Sequence, residues 1–513
     1  MRELSAFDAM SVNIAMCSPL QGVLWAWTYG PYMYQQANLA LAYFLGIIVV
    51  GFGPTLVYSL WTLGMPRSGG EYVWLSRLYH PMYGFVVNWF LTFVFLSWYG
   101  LDCATVGPFF LGSVFTSLGM TDLASAVSST TGSMVIGIVA AILFGAMMFA
   151  GMRAYAWFQK IVFWGMVAGF LVFVALALNT SNSAFIGGFN RYVAGSGGNL
   201  TYAGVMDKAR SVGWVSGWTF PATGFALVFP LANYGWAGFP AYVSGEIRDI
   251  RRSTWIAFMG GLLVMGAWYV VTGLLLYNTV GYDFLHGLAY LWNSGSSAYP
   301  LPFPPYPQNF AFFMTDNRLL IGIVAVAWLL SGIYLTPPNL LLATRNVFAW
   351  SFDRLLPTRF AKVDDRFSAP TYAILGCTIV GILLTIFTVI ASYAVMIINT
   401  FMVLEAVLGL VAIGAIIFPY AKKDYFDRMP RIVGRKLFGI PIMTLAGVVT
   451  FATSIAMVYA AYSAPSLGMW NFTSFIFNIG MLLVAIPIYL AAYYYHKRKG
   501  FDITLQFTEV PPD

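Results

Sequence analysis

Pro230-Leu-Ala-Asn-Tyr-Gly-Trp-Ala-Gly-Phe-Pro-Ala-Tyr-Val-Ser-Gly-Glu246 starts inside an apolar run and then spoils its own helical pattern. Asn233, Tyr234, Gly235, Gly238 and Pro240 interrupt it, and a carboxylate ends it. The next residues, Ile247-Arg-Asp-Ile-Arg-Arg252, need water. A helix that loses its hydrogen bonds at membrane depth leaves backbone groups that lipid cannot satisfy. Such a break persists only where it faces protein or a water-filled cavity. The stretch is therefore read as one half of a ligand site.

The rest of the chain supports a membrane setting. Of 513 residues, 59% are hydrophobic and 9% charged, against about 25% charged in soluble domains. Apolar runs near 20 residues recur along the whole length, long enough to cross a bilayer. About twelve spans are expected, with an all-α polytopic architecture. The +7 net charge belongs to the loops. All but four of the 26 lysines and arginines fall on one side of the expected topology, the four being Arg191, Lys208, Arg210 and Arg318. Positive charge collects in cytoplasmic loops, so both termini are expected in the cytoplasm of a plasma-membrane protein. No signal peptide is expected at Met1 to Asp8. Cys17, Cys103 and Cys377 lie in apolar segments and suggest neither disulfides nor a metal site. His80, His286 and His496 sit in or near expected loops, so no intramembrane relay is expected.

In chain order, the first span runs from about Phe7 to Met33 and breaks near Ser18-Pro-Leu-Gln-Gly22. The second covers Leu39 to Met65, before the turn Pro66-Arg-Ser-Gly-Gly-Glu71, and the third carries Asp102. Asn179 to Gly217 and Gly281 to Asn317 read as external loops, the latter with the proline-dense Tyr299 to Pro307. The eighth span contains Thr336-Pro-Pro-Asn339, where a kink is expected. The ninth and tenth cover about Pro370 to Ile390 and Tyr393 to Ile417, and the twelfth begins near Trp470. The interrupted spans are the first and sixth, five apart. Paired interruptions in matching positions point to an inverted repeat with a binding site between its halves. No residue-level identity links the halves, so this rests on position.

Three blocks resemble the amino acid–polyamine–organocation permease superfamily. The first is Pro66-Arg-Ser-Gly-Gly-Glu-Tyr72, followed by Gly84, Phe85 and Trp89. The second is Glu246-Ile-Arg-Asp-Ile-Arg-Arg252. The third is Arg345-Asn-Val-Phe-Ala-Trp-Ser-Phe-Asp-Arg-Leu-Leu-Pro357, continuing to Pro370. The tail from Gly500 to Asp513 is also similar to endings in amino-acid permeases of this group. The resemblance implies a leucine-transporter-like fold of two inverted five-helix repeats, over residues 7–178 and 218–418. A basic loop, two extra helices and a cytoplasmic tail would fill 419–513. Substrate would bind between broken helices one and six, with helices three, eight and ten contributing. The function implied is secondary transport of an amino acid or related organic amine, by symport or exchange.

A broken helix offers N–H groups at a positive dipole end and carbonyls at the other. For the first break the nominated residues are Ser18, Gln21 and Gly22, with Ala15 and Met16 on the carbonyl side. For the sixth span they are Ala232, Asn233, Tyr234, Gly235 and Trp236. Glycine and proline are also common in membrane helices for packing alone. One departure from the family matters: Pro19-Leu20-Gln21 stands where a glycine-rich triplet is usual. Proline removes a donor and leucine adds bulk. Polyamines, other organocations, unusual amino acids and nucleobases therefore stay open as ligands.

Asp102 and Glu405 are carboxylates placed inside spans, costly there and functional by expectation as proton carriers or cation partners. No lysine is expected at the helix-five position, near Gly165 or Met166, that replaces a sodium ion in some family members. Thr336, Asn339 and Thr344 could offer oxygens to sodium, although hydroxyls also bond back to helix carbonyls. Glu246, Arg248, Arg345, Asp353 and Arg354 are expected to form gating ion pairs, or merely to set topology. No cofactor is expected beyond a coupling proton or sodium ion. The expected partners are a small-molecule substrate and the bilayer, not nucleic acid; a homo-oligomer is possible. An enzyme would need a nucleophile, an acid–base pair or metal ligands at membrane depth, and none is seen. A membrane sensor or channel is the alternative from another class; a channel should show a polar filter or charged ring.

Overall fold

The computed structural model describes residues 3–364, 366, 369–391, 400–462 and 472–508. The expected starts of the tenth and twelfth spans, Asp365 and the last five residues lie outside these. Among the described residues, ten helices are long and apolar enough to cross a membrane. The two expected spans missing from that number are the first and the sixth, each built from shorter pieces. The first is α1 (Ala6–Met16) and α2 (Pro19–Met33). The sixth contains α10 (Val228–Tyr234) and a 3₁₀ segment, Phe239–Glu246.

The uninterrupted spans are α3 (Leu39–Gly64), α5 (Pro81–Ser117), α6 (Thr130–Phe149), α7 (Gly151–Asn179), α11 (Ile250–Thr279), α13 (Arg318–Phe352), α14 (Thr371–Ile390), α15 (Met402–Ala421), α16 (Ile442–Ala460) and α17 (Asn478–Arg498). Side-chain caps start several helices: Ser5 accepts from the Asp8 N–H, Ser129 from Gly132, and Asn317 from Leu319. Each satisfies a donor that the helix itself cannot. On α7 one face buries Gln159, Val162, Met166 and Phe173, while Ile161, Trp164, Leu171 and Leu178 lie exposed. A helix apolar on both faces belongs in protein on one side and lipid on the other. The chain is an all-α, multi-pass membrane protein.

The structure adds detail to three expectations. The first break lies at Cys17 and Ser18, and Pro19 opens the next helix, where its missing N–H costs nothing. Helix α13 runs through Pro337 and Pro338 as one helix of 35 residues. The segments read as external loops contain α8 (Asn182–Gly195), α9 (Tyr202–Ser211) and α12 (Tyr282–Asn293). Their glycine, serine and asparagine content hid them. Ser181 and Thr201 are in fact N-caps, accepting from Ala184 and Gly204. His286 thus sits inside a helix rather than a loop.

The termini meet at one end of the bundle. Leu4 bridges to Ile247, and the ring of Phe507 packs edge-on against Tyr72 of α4 (Glu71–Leu78). The opposite end carries α8, α9 and α12. Helix α12 docks on α2 through Asn293, whose Nδ2 donates to the Thr28 carbonyl at 2.7 Å. His286 anchors the same helix: it is 1% exposed, its ring stacks on Tyr282 at 4.1 Å, and Nε2 lies 3.2 Å from the Tyr277 hydroxyl.

Burial pushes the His286 imidazole down to about 3 from its ordinary 6.5. The unfolded chain takes up that proton first, so docking is strongest above pH 6.5 and weakens as pH falls towards 3. The slope is about 1.4 kcal/mol per pH unit within that window. Lowering pH from 7 to 5 should therefore reduce the melting temperature of the wild type more than that of His286→Gln. Parallel curves would remove His286 as the cause.

Candidate functional site

The interrupted helices meet through their own unpaired backbone groups. Ser18 has φ 59° and ψ 67°, a left-handed conformation that turns the chain between α1 and α2. This leaves the Cys17 and Ser18 carbonyls outside α1. Cys17 O accepts from Tyr269 Oη at 3.0 Å and from Asn233 Nδ2 at 3.2 Å. Ser18 O accepts from the same tyrosine at 2.6 Å and from Gly22 N at 2.8 Å. Tyr43 Oη donates to Asn233 Oδ1 at 2.7 Å, and its ring stacks on Tyr269 at 4.3 Å. Gly22 is required here because a Cβ would fall on the Tyr269 hydroxyl and the Asn233 amide.

The N–H side of the break is occupied too. Leu20 N and Gln21 N both donate to Ser331 Oγ, at 3.0 and 3.3 Å. Gln21 Nε2 then reaches Asp102 Oδ1 at 3.2 Å, and Asn339 Nδ2 reaches Asp102 Oδ2 at 3.2 Å. Gln21, Asp102 and Asn339 are at most 2% exposed. One buried carboxylate thereby joins α2, α5 and α13, while α3, α10 and α11 close over the break. Such a cluster can exchange hydrogen bonds with a polar guest, since every partner of the break groups except the Gly22 N–H is a side chain able to turn away.

The nominated residues divide. Ser18, Gln21, Gly22, Asn233 and Asp102 come together, and Tyr234 Oη reaches the Tyr43 carbonyl at 3.4 Å. The Ala15 carbonyl accepts from Ser18 N at 2.9 Å within the turn, and Met16 is buried beside it. Trp236 Nε1 bonds back to Ala232 O at 2.7 Å, and its ring faces Phe239. Gly235 packs on Leu404 and Leu408 of α15. Glu405 of α15 is 2% exposed, and its Oε1 has no partner among the described residues. Thr336 and Thr344 donate to Gly332 O and Leu341 O of their own helix, whereas Asn339 reaches Asp102. Tyr43, Tyr269 and Ser331 escaped notice in the sequence. Tyrosine and serine abound in this chain, and neither residue breaks a pattern.

Ion pairs gather at the termini end. Arg345 grips Glu246 with Nε at 2.6 Å and Nη2 at 3.3 Å. Leu4 N donates to the Glu246 carbonyl, and Arg248 N to the Leu4 carbonyl, both at 2.9 Å. Lys160 of α7 pairs with Asp8 of α1 at 2.8 Å, a helix-five lysine the sequence reading did not connect with the site. Asp353 is held by Arg77 at 2.9 Å and by the Tyr72 hydroxyl at 2.7 Å, while Arg354 lies over the Phe501 ring. Glu71 is fully buried and accepts from Tyr242, Asn88 and Tyr58. Burial pushes its carboxyl above the ordinary range, and those hydrogen bonds oppose the shift. Gly70, at φ 55°, starts this turn with Tyr242 packed where a Cβ would stand.

A family model described as amino acid permease matches residues 10–493. The chain belongs to that family of the amino acid–polyamine–organocation superfamily, and it is a membrane transport protein. No curated protein matches it in sequence.

Two outcomes follow from the geometry. Gly22→Ala should push Tyr269 and Asn233 off the break carbonyls and abolish ligand-dependent thermal stabilisation; an unchanged ligand response would dissociate the break from binding. Cys17 is buried at the break and should react slowly with maleimide when Cys103 and Cys377 are serine. Arg345→Gln, by releasing Glu246, should speed that labelling about fivefold or more, within the worth of a partly buried pair. Equal rates would take Arg345 out of the closure.

Proposed function

We propose that the chain is a secondary active carrier moving an amino acid or related organic amine across the plasma membrane by alternating access. The single observation that carries the reading is that both interrupted helices converge on one buried polar cluster and are each tied to a neighbouring helix by an ion pair. A carrier needs a site that is sealed from one side at a time, and helices with satisfied but exchangeable ends provide it. Two inverted five-helix repeats, residues 7–178 and 218–418, would supply the rocking elements. Both termini are assigned to the cytoplasm on the strength of the charge bias in the loops.

Opening requires parting Arg345 from Glu246 and Lys160 from Asp8, which frees α1 and the 3₁₀ segment to swing from α7 and α13. Coupling, by symport or exchange, is assigned to Asp102 rather than Glu405. Asp102 bonds to Gln21 at the first break, so a change in its charge acts directly on that helix. Asn233 links the two interrupted spans, and Asn233→Leu should eliminate uptake without preventing folding. Counterflow in proteoliposomes checks this: the wild type should show saturable, substrate-accelerated exchange, and the variant none. Wild-type exchange by the variant would exclude the sixth span from the site.

A further inference from the structure

The backbone donors at the first break are already taken. At the start of α2, Pro19 has no N–H, Leu20 and Gln21 donate theirs to Ser331 Oγ, and Gly22 donates to Ser18 O. The donors with which a helix N-terminus would hold a carboxylate are spent. Asp102 receives only two amide N–H groups, from Gln21 and Asn339, and no salt bridge to it occurs among the described residues. Each of those amides carries an oxygen unpartnered among the described residues: Gln21 Oε1 and Asn339 Oδ1 are buried without a hydrogen bond there. A buried acceptor left empty is costly, and a buried charge without a counter-ion more so.

We infer that this cluster recognises the ammonium of a primary amine, and that the substrate needs no α-carboxylate. Three N–H bonds of one ammonium match Asp102 and the two amide oxygens, so binding supplies the missing counter-charge and fills both empty acceptors. A carboxylate brought to the same place would face Asp102 and find no free backbone donor at the start of α2. Ser331 is then a specificity-determining residue, a neutral occupant of the anion position. The inference rests on the carrier reading above and narrows its substrate class to cationic amines, with or without an acid group.

The test compares cadaverine, lysine and leucine on the full-length protein, by thermal shift and by counterflow in proteoliposomes. Lysine and cadaverine differ only in the carboxylate, and leucine lacks the cationic side chain. Cadaverine should bind and exchange as well as lysine, and leucine about tenfold or more weakly, the equivalent of a lost 1.4 kcal/mol. Asp102→Asn should weaken cadaverine by about tenfold or more. Ser331→Ala frees two N–H groups and should shift preference towards lysine over cadaverine. That gain does not depend on the Asp102 variant folding. Exchange of leucine with no response to cadaverine would overturn the inference and leave the carrier reading standing. So would cadaverine binding that is indifferent to Asp102→Asn. No exchange of these or any other amine or amino acid would overturn the carrier reading and this one together.

Discussion

Backbone groups freed inside an apolar slab must be paired, and the interior of this protein is arranged around two such places. At Ser18 the chain leaves the helical path, exposing the Cys17 and Ser18 carbonyls on one side and the Leu20 and Gln21 N–H groups on the other. Lipid offers neither donors nor acceptors, so three other helices are drawn in to provide them. Tyr269 and Asn233 take the carbonyls, and Ser331 takes the N–H groups. The stacked rings of Tyr43 and Tyr269 then fix the tyrosine hydroxyl in place. The cost of the break thus becomes a set of long-range contacts holding α2, α10, α11 and α13 together.

Such contacts are reversible in a way that apolar packing is not. Moving a tyrosine hydroxyl or an asparagine amide from a carbonyl to a guest exchanges one hydrogen bond for another, at little net cost. Pulling apart interdigitated aromatic rings does not. The two apolar cores of the bundle, one around Trp61 and Trp74 and the other around Trp27 and Trp328, flank the break. Met16 belongs to the first and Cys17 to the second. Ile14 and Ala15 of α1 already belong to the second, and beyond the break Leu20, Leu24 and Trp27 of α2 do as well, so α1 lies between the two packed bodies.

At the termini end the pairing is ionic. Glu246–Arg345 and Lys160–Asp8 join the first and sixth spans to α13 and α7, in a region partly open to water. Partial exposure keeps such pairs weak enough to open, whereas Arg77–Asp353, nearly buried and topped by Phe507, ties α4 to the end of α13 more firmly. The carboxyl-terminal segment is part of that tie, because Ile503 and Phe507 are buried in the same core.

The amino-acid sequence by itself determined the membrane class, the approximate spans and the positions of the two interruptions. All three follow from local pattern: apolar length, charge placement, and clusters such as Pro19 after Ser18, or Gly235, Gly238 and Pro240 together, that spoil a helical run. Asp102 was also legible, since a carboxylate within an apolar run stands out. The helices beyond the spans were not, because Ser181 and Thr201 look alike as caps and as loop residues. Tyr269, Tyr43 and Ser331, and the pairing of Asp353 with Arg77, were decided only by tertiary structure. Each partner lies tens to hundreds of residues from the group it satisfies, and a hydroxyl among many becomes distinctive only once a freed carbonyl stands within 3 Å of it.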